Sequence, residues 1–250
     1  MGTDEELLRR AEDLRERCER TSSVTHTAFL TPAEQYKLSC WARGRAECRL
    51  IFSGGVKNCE RAIGFFLPFW YDAGSDPAAE CVGAVFAKAG FGEPGHRDYM
   101  GATLALGIKR EWLGDIIVSG STAHILCLDT VAETLVRELD HVGRCGVRCR
   151  TVALSEIPPI VRKTRSVTFT VKSLRLDAVA AEMFGLSRTS AVAMIEAGLA
   201  QLNYEICEKP SAQVKPGDII SLRGKGKGEL ADEGGLSRKG RTFLTALIYE

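Results

Sequence analysis

The chain has 250 residues, 45% hydrophobic and 26% charged, with 33 Lys and Arg against 32 Asp and Glu for a formal net charge of +1. That composition suits a folded chain with one large or several small cores, and a near-neutral total excludes an overall field that draws in polyanions, while local segregation of charge stays open. Residues 1–20 carry acids from Asp4 onward without an apolar run, which fits neither a signal peptide nor a basic transit peptide, and nowhere do about 18 apolar residues follow one another as a membrane helix requires.

Nine cysteines, odd in number and without a CxxC pair, suit a reducing compartment better than a disulfide framework. A cytoplasmic location without membrane attachment is the expectation.

Leu7, Leu8, Ala11, Leu14 and Cys18 recur at helical spacing, with Glu and Arg on the other face, and predict an amphipathic first helix. TSSVTHTAFLTPAEQ breaks that period. Within it Thr31, Pro32 and Glu34 have the form of an N-cap with proline at the first helical position, so a second helix is expected from Pro32 to about Arg43. RLIFSGGVKNCERAIGFFLPFWYD then reads as a short strand from Arg49 to Phe52, a double-glycine turn and another helix. Phe65, Phe66, Phe69, Trp70 and Tyr71 are read as core rather than as a base-stacking platform, with a protein-docking surface near Phe69 as a further alternative. Ser53 to Asn58 lacks the Gly-Lys-Ser/Thr of a phosphate loop and is read as a plain turn. Residues 1–76 thus form a mainly helical N-terminal region.

From Glu80 the pattern becomes regular: strand CVGAVFA, helix HRDYMGATLALG, strands DIIVSG and AHILCLD, helix TVAETLVRELDHVG, strand VRCRTVAL. That βαββαβ order predicts a ferredoxin-like domain over 77–158, a four-stranded antiparallel sheet with two helices on one face. RNA-recognition versions of such a sheet stack unpaired bases on aromatics of two central strands. Here those strands offer Phe86 and then HILCLD without an aromatic, so stacking is not expected.

In GHRD, His96, Arg97 and Asp98 combine a base, a cation and an acid; their place at a helix start favours a dipole-supporting Asp98 and an RNA-facing pair His96 and Arg97, with Lys109 and Arg110 as further RNA-binding candidates. His141, Cys145 and Cys149 are spaced four apart but broken by Gly143 and Gly146 and lack a fourth ligand, so no metal is expected.

Pro158 and Pro159 open a basic linker over 159–172, with Arg162, Lys163, Arg165 and Lys172. The remainder, 173–250, reads as a short helix from Leu176, a tight turn at Gly185, a second helix capped by Ser187, and a β region. A helix start presents unpaired N–H groups and the positive dipole end. With Arg175, Ser187, Arg188 and Thr189 gathered there, that corner suits phosphate, and the arm RGKGKG adds Arg223, Lys225 and Lys227 between glycines, with Lys215 nearby. This reading needs Arg175, Arg188 and Lys225 on one face and not locked to carboxylates.

The pieces RLD, GLSRTSA, MIEAGL and VKPGDIISLRG, in that order over about 50 residues, resemble the αL RNA-binding motif of ribosomal protein S-four type. A departure is Tyr204, where the family's Val-Asn-Gly-like turn has glycine, which leaves the turn geometry and a role for Lys209 open. Upstream, FLTPAEQ, SGGVKNCERAIGFFLP, HRDYMGATLALGIKREWLGDIIV, VGRCGV and LSEI resemble the YlmH family of bacterial RNA-binding proteins, as does the tail GGLSRKGRTFLTALIY. The resemblance implies an α+β protein that binds structured RNA, ribosomal RNA or tRNA, on the large ribosomal subunit and takes part in handling stalled complexes. A single chain without cofactor or catalysis is expected. The alternative is an RNA-modifying enzyme with a site around His96 and Asp98; no cofactor loop or synthetase signature supports it, and Asp177 is read as a helix cap.

Overall fold

The computed structural model describes residues 2–45, 49–72, 74–161, 163–237 and 240–249. Arg162 of the expected linker lies outside the described residues. The chain divides into two compact units, 1–160 and 161–250.

The first unit begins with α1 (Gly2–Thr21), β1 (Thr25–Leu30), α2 (Pro32–Arg43), β2 (Leu50–Ser53) and β3 (Ala62–Phe66). Thr31 and Glu34 close a capping box, the Thr31 N–H donating to Glu34 Oε2 at 2.7 Å and the Glu34 N–H to Thr31 Oγ1 at 3.3 Å, with Pro32 in the first turn. β3 lies between β1 and β2 in a three-stranded antiparallel sheet. The expected helix over this stretch is therefore a strand. Every residue of AIGFF is buried: Phe66 packs with Ala11, Cys18 and Leu38 of the helices, whereas Ile63 and Phe65 join a second core on the other face. A strand covered on both faces shows no alternation, so its apolar run imitates a buried helix.

β4 (Val82–Ala89), α3 (His96–Ala105), β5 (Leu113–Ser119), β6 (Thr122–Leu128), α4 (Asp129–Glu138), β7 (His141–Val142) and β8 (Cys145–Val152) follow. Their sheet has the order β5-β6-β4-β8-β7, the ferredoxin-like arrangement with a short extra edge strand. One face holds the core with the helices, built on Val85, Ile125, Leu135 and Tyr99. On the other face Val82, Ala84 and Leu126 pack with Phe29, Ile63 and Phe65 of the first sheet, so the two regions expected as separate domains share a core. A Cβ on Gly114 would lie 2.8 Å from the Phe29 ring, which shows how closely the two sheets approach. Buried Arg61 ties them by donating to the Leu113 carbonyl at 2.9 Å and the Phe29 carbonyl at 2.8 Å.

Phe69 and Trp70 correct the expectation of an all-core aromatic cluster: they are 87% and 56% exposed, while Phe65 and Phe66 are buried.

The second unit contains β9 (Thr164–Val171), α5 (Leu176–Met183), α6 (Arg188–Glu196), β10 (Ala200–Leu202), β11 (Glu205–Ile206), β12 (Ile219–Leu222), β13 (Gly226–Leu236) and β14 (Thr242–Tyr249). Six strands run in the order β11-β10-β12-β13-β14-β9. The stretch expected as a linker is thus largely an edge strand, paired residue for residue with β14 from Thr164↔Tyr249 to Val171↔Thr242. Val179, Met183 and Ile195 of the helices meet Ile220, Leu230 and Leu244 of the sheet in one core. Gly185, at φ +64°, ends α5, with the Leu186 N–H donating to the Ala181 carbonyl at 2.8 Å, and the two helices turn through 117°. Among the described residues no single helix is long and apolar enough to cross a membrane.

Candidate nucleic-acid interface

Two residues of the predicted corner meet on a third. Arg175, the residue before α5, and Arg188, the first residue of α6, both donate to the carboxylate of Asp177, which is buried. Arg175 spans it with Nε on Oδ1 at 3.0 Å and Nη2 on Oδ2 at 3.1 Å; Arg188 places Nε and Nη2 on Oδ2 at 3.1 and 3.0 Å. Burial favours the neutral form of Asp177, but the hydrogen bonds and charges of the two arginines outweigh it and hold its pKa below the ordinary carboxylate value. The expectation that neither arginine is held by a carboxylate therefore fails. Two guanidiniums on one carboxylate still leave a formal charge of +1, and the side chains are 35% and 60% exposed, with Nη1 of each unpartnered among the described residues.

The helix starts differ. At α5 the N–H groups of Leu176 and Asp177 already donate to the carbonyls of Ala212 and Pro210, and the Ala178 N–H donates to Asp177 Oδ1. At α6 Ser187 Oγ accepts the Ser190 N–H at 3.0 Å, which caps the helix, and lies 2.7 Å from the Ser190 hydroxyl. Arg188 and Thr189 are exposed residues, and their backbone amides find no partner among the described residues.

Arg223, Gly224 and Lys225 form the exposed tip of the β12–β13 hairpin, where Gly224 and Gly226 take φ of +77° and +129°. The Arg223 N–H donates to the Leu199 carbonyl just beyond α6, which ties this tip to the other end of that helix from Arg188. Lys227 is set against the rings of Tyr204 and Tyr249, at 4.8 and 5.6 Å. Lys215 is exposed, and its backbone N–H donates to buried Asp218. Asn203 and Tyr204 form the two-residue turn of the β10–β11 hairpin at φ +52° and +70°, so tyrosine adopts the left-handed backbone that glycine usually supplies.

In the first unit His96 and Arg97 are exposed at the start of α3, and the Asp98 carboxylate accepts the Gly95 N–H at 2.8 Å, a cap rather than a partner for His96. Lys109 is exposed, 5.4 Å from the Trp112 ring. Arg110 departs from its expected role: its guanidinium turns inward to the carbonyls of Leu113 and Gly114, and burial lowers its pKa. His141 faces Asp140 at the surface while Cys149 donates to the Leu139 carbonyl, so these two do not converge.

Charge is segregated: residues 161–250 hold 14 Lys and Arg against 10 Asp and Glu, whereas residues 1–160 hold 19 against 22. The near-zero total hides a cationic second unit.

Residues 174–220, which contain the paired helices with Arg175, Asp177 and Arg188, match the S4 domain family. Residues 85–156 match the family described as "Putative RNA-binding domain in YlmH". Over 222 residues, 88% of this chain and 85% of the relative, the sequence is 32% identical to "Ribosome-associated protein quality control protein P2" of Bacillus subtilis. The chain belongs to the YlmH family. A 63-residue stretch, 25% of the chain and 31% of the relative, is 43% identical to "Small ribosomal subunit protein uS4" of Coxiella burnetii. Among solved structures, "Cell division protein ylmH from Streptococcus pneumoniae" aligns with 62% of this chain and 94% of its own at TM-score 0.51 and 17% identity, a likeness of fold.

Proposed function

We propose that this protein binds structured RNA, ribosomal RNA or tRNA, on the large ribosomal subunit in the cytoplasm, and takes part without catalysis in handling stalled translation complexes. The supporting observation is the corner where Asp177 holds Arg175 and Arg188 beside the unpartnered amides opening α6. The carboxylate fixes both guanidinium planes and leaves a surplus positive charge, so a phosphate meets donors already oriented. The cationic surplus of residues 161–250 and the name of the Bacillus subtilis relative support the same reading.

Substituting Arg188→Ala should weaken binding to a structured RNA and reduce the slope of log affinity against log salt by roughly one unit. Anisotropy titrations across a salt series measure both, and sedimentation with separated ribosomal subunits tests the assignment to the large one. Unchanged affinity and slope would remove this corner as the site.

A further inference from the structure

The face of the ferredoxin-like sheet opposite its helices is only partly covered. Along β4, Val82 and Ala84 enter the core shared with the N-terminal sheet, but Phe86 and Lys88, on the same side and further along, lie outside it. Cross-strand pairing surrounds Phe86 with groups that the order of the sequence keeps apart. His124 of β6 stands opposite it on one side and Arg150 of β8 on the other. The His124 ring is 5.2 Å from the Phe86 ring, and the Arg150 guanidinium lies 5.1 Å over Phe86. Burial and the neighbouring Arg150 lower the His124 pKa, so near neutral pH the imidazole is an uncharged ring.

The next pair on this face sets exposed Lys88 directly opposite exposed Arg148, a like-charge contact that costs stability unless an anion relieves it. Neither has an ion-pair partner among the described residues. Arg150 has only a 3.7 Å approach to Glu156, both side chains being more than half exposed, together with a 3.4 Å bond to the Thr151 carbonyl.

We propose that Phe86, His124 and Arg150 form a stacking platform for an unpaired RNA base, with Lys88 and Arg148 receiving the adjoining phosphates. Aromatic rings and guanidinium planes stack any base, and flanking cations track its backbone. This reverses the expectation drawn from the strand sequences, because two of the three planar groups are supplied by neighbouring strands. It rests on reading the chain as an RNA-binding protein, but it concerns the first unit and a different state of the RNA.

The test uses the full chain with two probes, an unstructured oligouridine of about ten nucleotides and a blunt-ended RNA duplex, both read by fluorescence anisotropy. Phe86→Leu and Arg150→Lys should each weaken oligouridine binding about five- to hundred-fold while leaving duplex binding unchanged, and Phe86→Trp should retain the oligouridine affinity. Arg150→Lys keeps the charge and removes the planar group, so its loss separates stacking from charge attraction. Because Arg150 is exposed, that variant carries the test even if Phe86→Leu fails to fold. Oligouridine affinity equal to wild type in Arg150→Lys, a parallel loss on the duplex, or no oligouridine binding by the wild type would overturn the platform. A duplex affinity untouched by Arg188→Ala would instead remove the Asp177 corner as the structured-RNA site and leave the platform standing.

Discussion

Asp177 joins two arginines that start different helices, and its charge matters in two opposed ways. It subtracts from the positive potential of the corner, yet it also fixes where the guanidiniums point. Asp177→Asn separates these effects. If potential dominates, the extra net positive charge tightens RNA binding; the pre-organised reading expects weaker binding, because freed guanidiniums must be ordered again at each encounter. We expect weakening, measured by titration with a structured RNA, and a stability loss of about 1–2 kcal/mol, modest because both arginines reach solvent. The pH dependence carries its own sign. Asp177 has a lowered pKa when folded, so its contribution is full above the ordinary value of 3.8 and disappears as pH falls below that and through the folded value. Urea unfolding should show the wild type losing this increment on acidification and Asp177→Asn lacking it; parallel curves would contradict the linkage.

Among the elements, the turn between β10 and β11 shows how a departure from the family pattern is absorbed. Asn203, buried in the left-handed conformation, donates to Asp218 Oδ1 at 2.9 Å and accepts the Ile219 N–H at 2.9 Å, while Tyr204 projects its ring to Lys227. Asn203→Ala removes both bonds and puts alanine at φ +52°, which should cost about 3 kcal/mol in a thermal or urea melt. Elements whose chemistry is local were legible in the chain: the Thr31 capping box, the Ser187 cap, the Gly185 turn and the alternating strands and helices of the ferredoxin-like domain. β1 was not, because its inward positions include Thr25 and Thr27, polar residues that satisfy themselves on the Leu14 and Ala28 carbonyls and so invert the expected alternation. At the site, the corner residues could be named from their motif. Sharing of Asp177, the inward turn of Arg110 and the grouping of Phe86 with His124 and Arg150 depend on tertiary pairing that sequence spacing does not contain.

For the whole molecule, the chain is two units with separate cores and opposite charge surpluses. A sheet of six strands completed by pairing β9 with β14 and packed under two helices gives residues 161–250 a core of their own, and this includes most of the stretch expected as a linker. A chain starting at Val161 should therefore fold cooperatively, with an unfolding enthalpy of roughly 60 kcal/mol at its midpoint, whereas one starting at Ser173 would lack β9 and leave β14 with an unpaired edge. Calorimetry on the two fragments measures this directly. The longer fragment should keep the structured-RNA affinity and salt slope of the full protein, since its own cations and the Asp177 corner supply both. Residues 1–160 alone should bind oligouridine in preference to duplex, because the cations around Phe86 flank a ring that stacks an unpaired base. A non-cooperative melt of the Val161 fragment, or duplex affinity residing in residues 1–160, would show that the two units do not divide the work as their charge and cores imply.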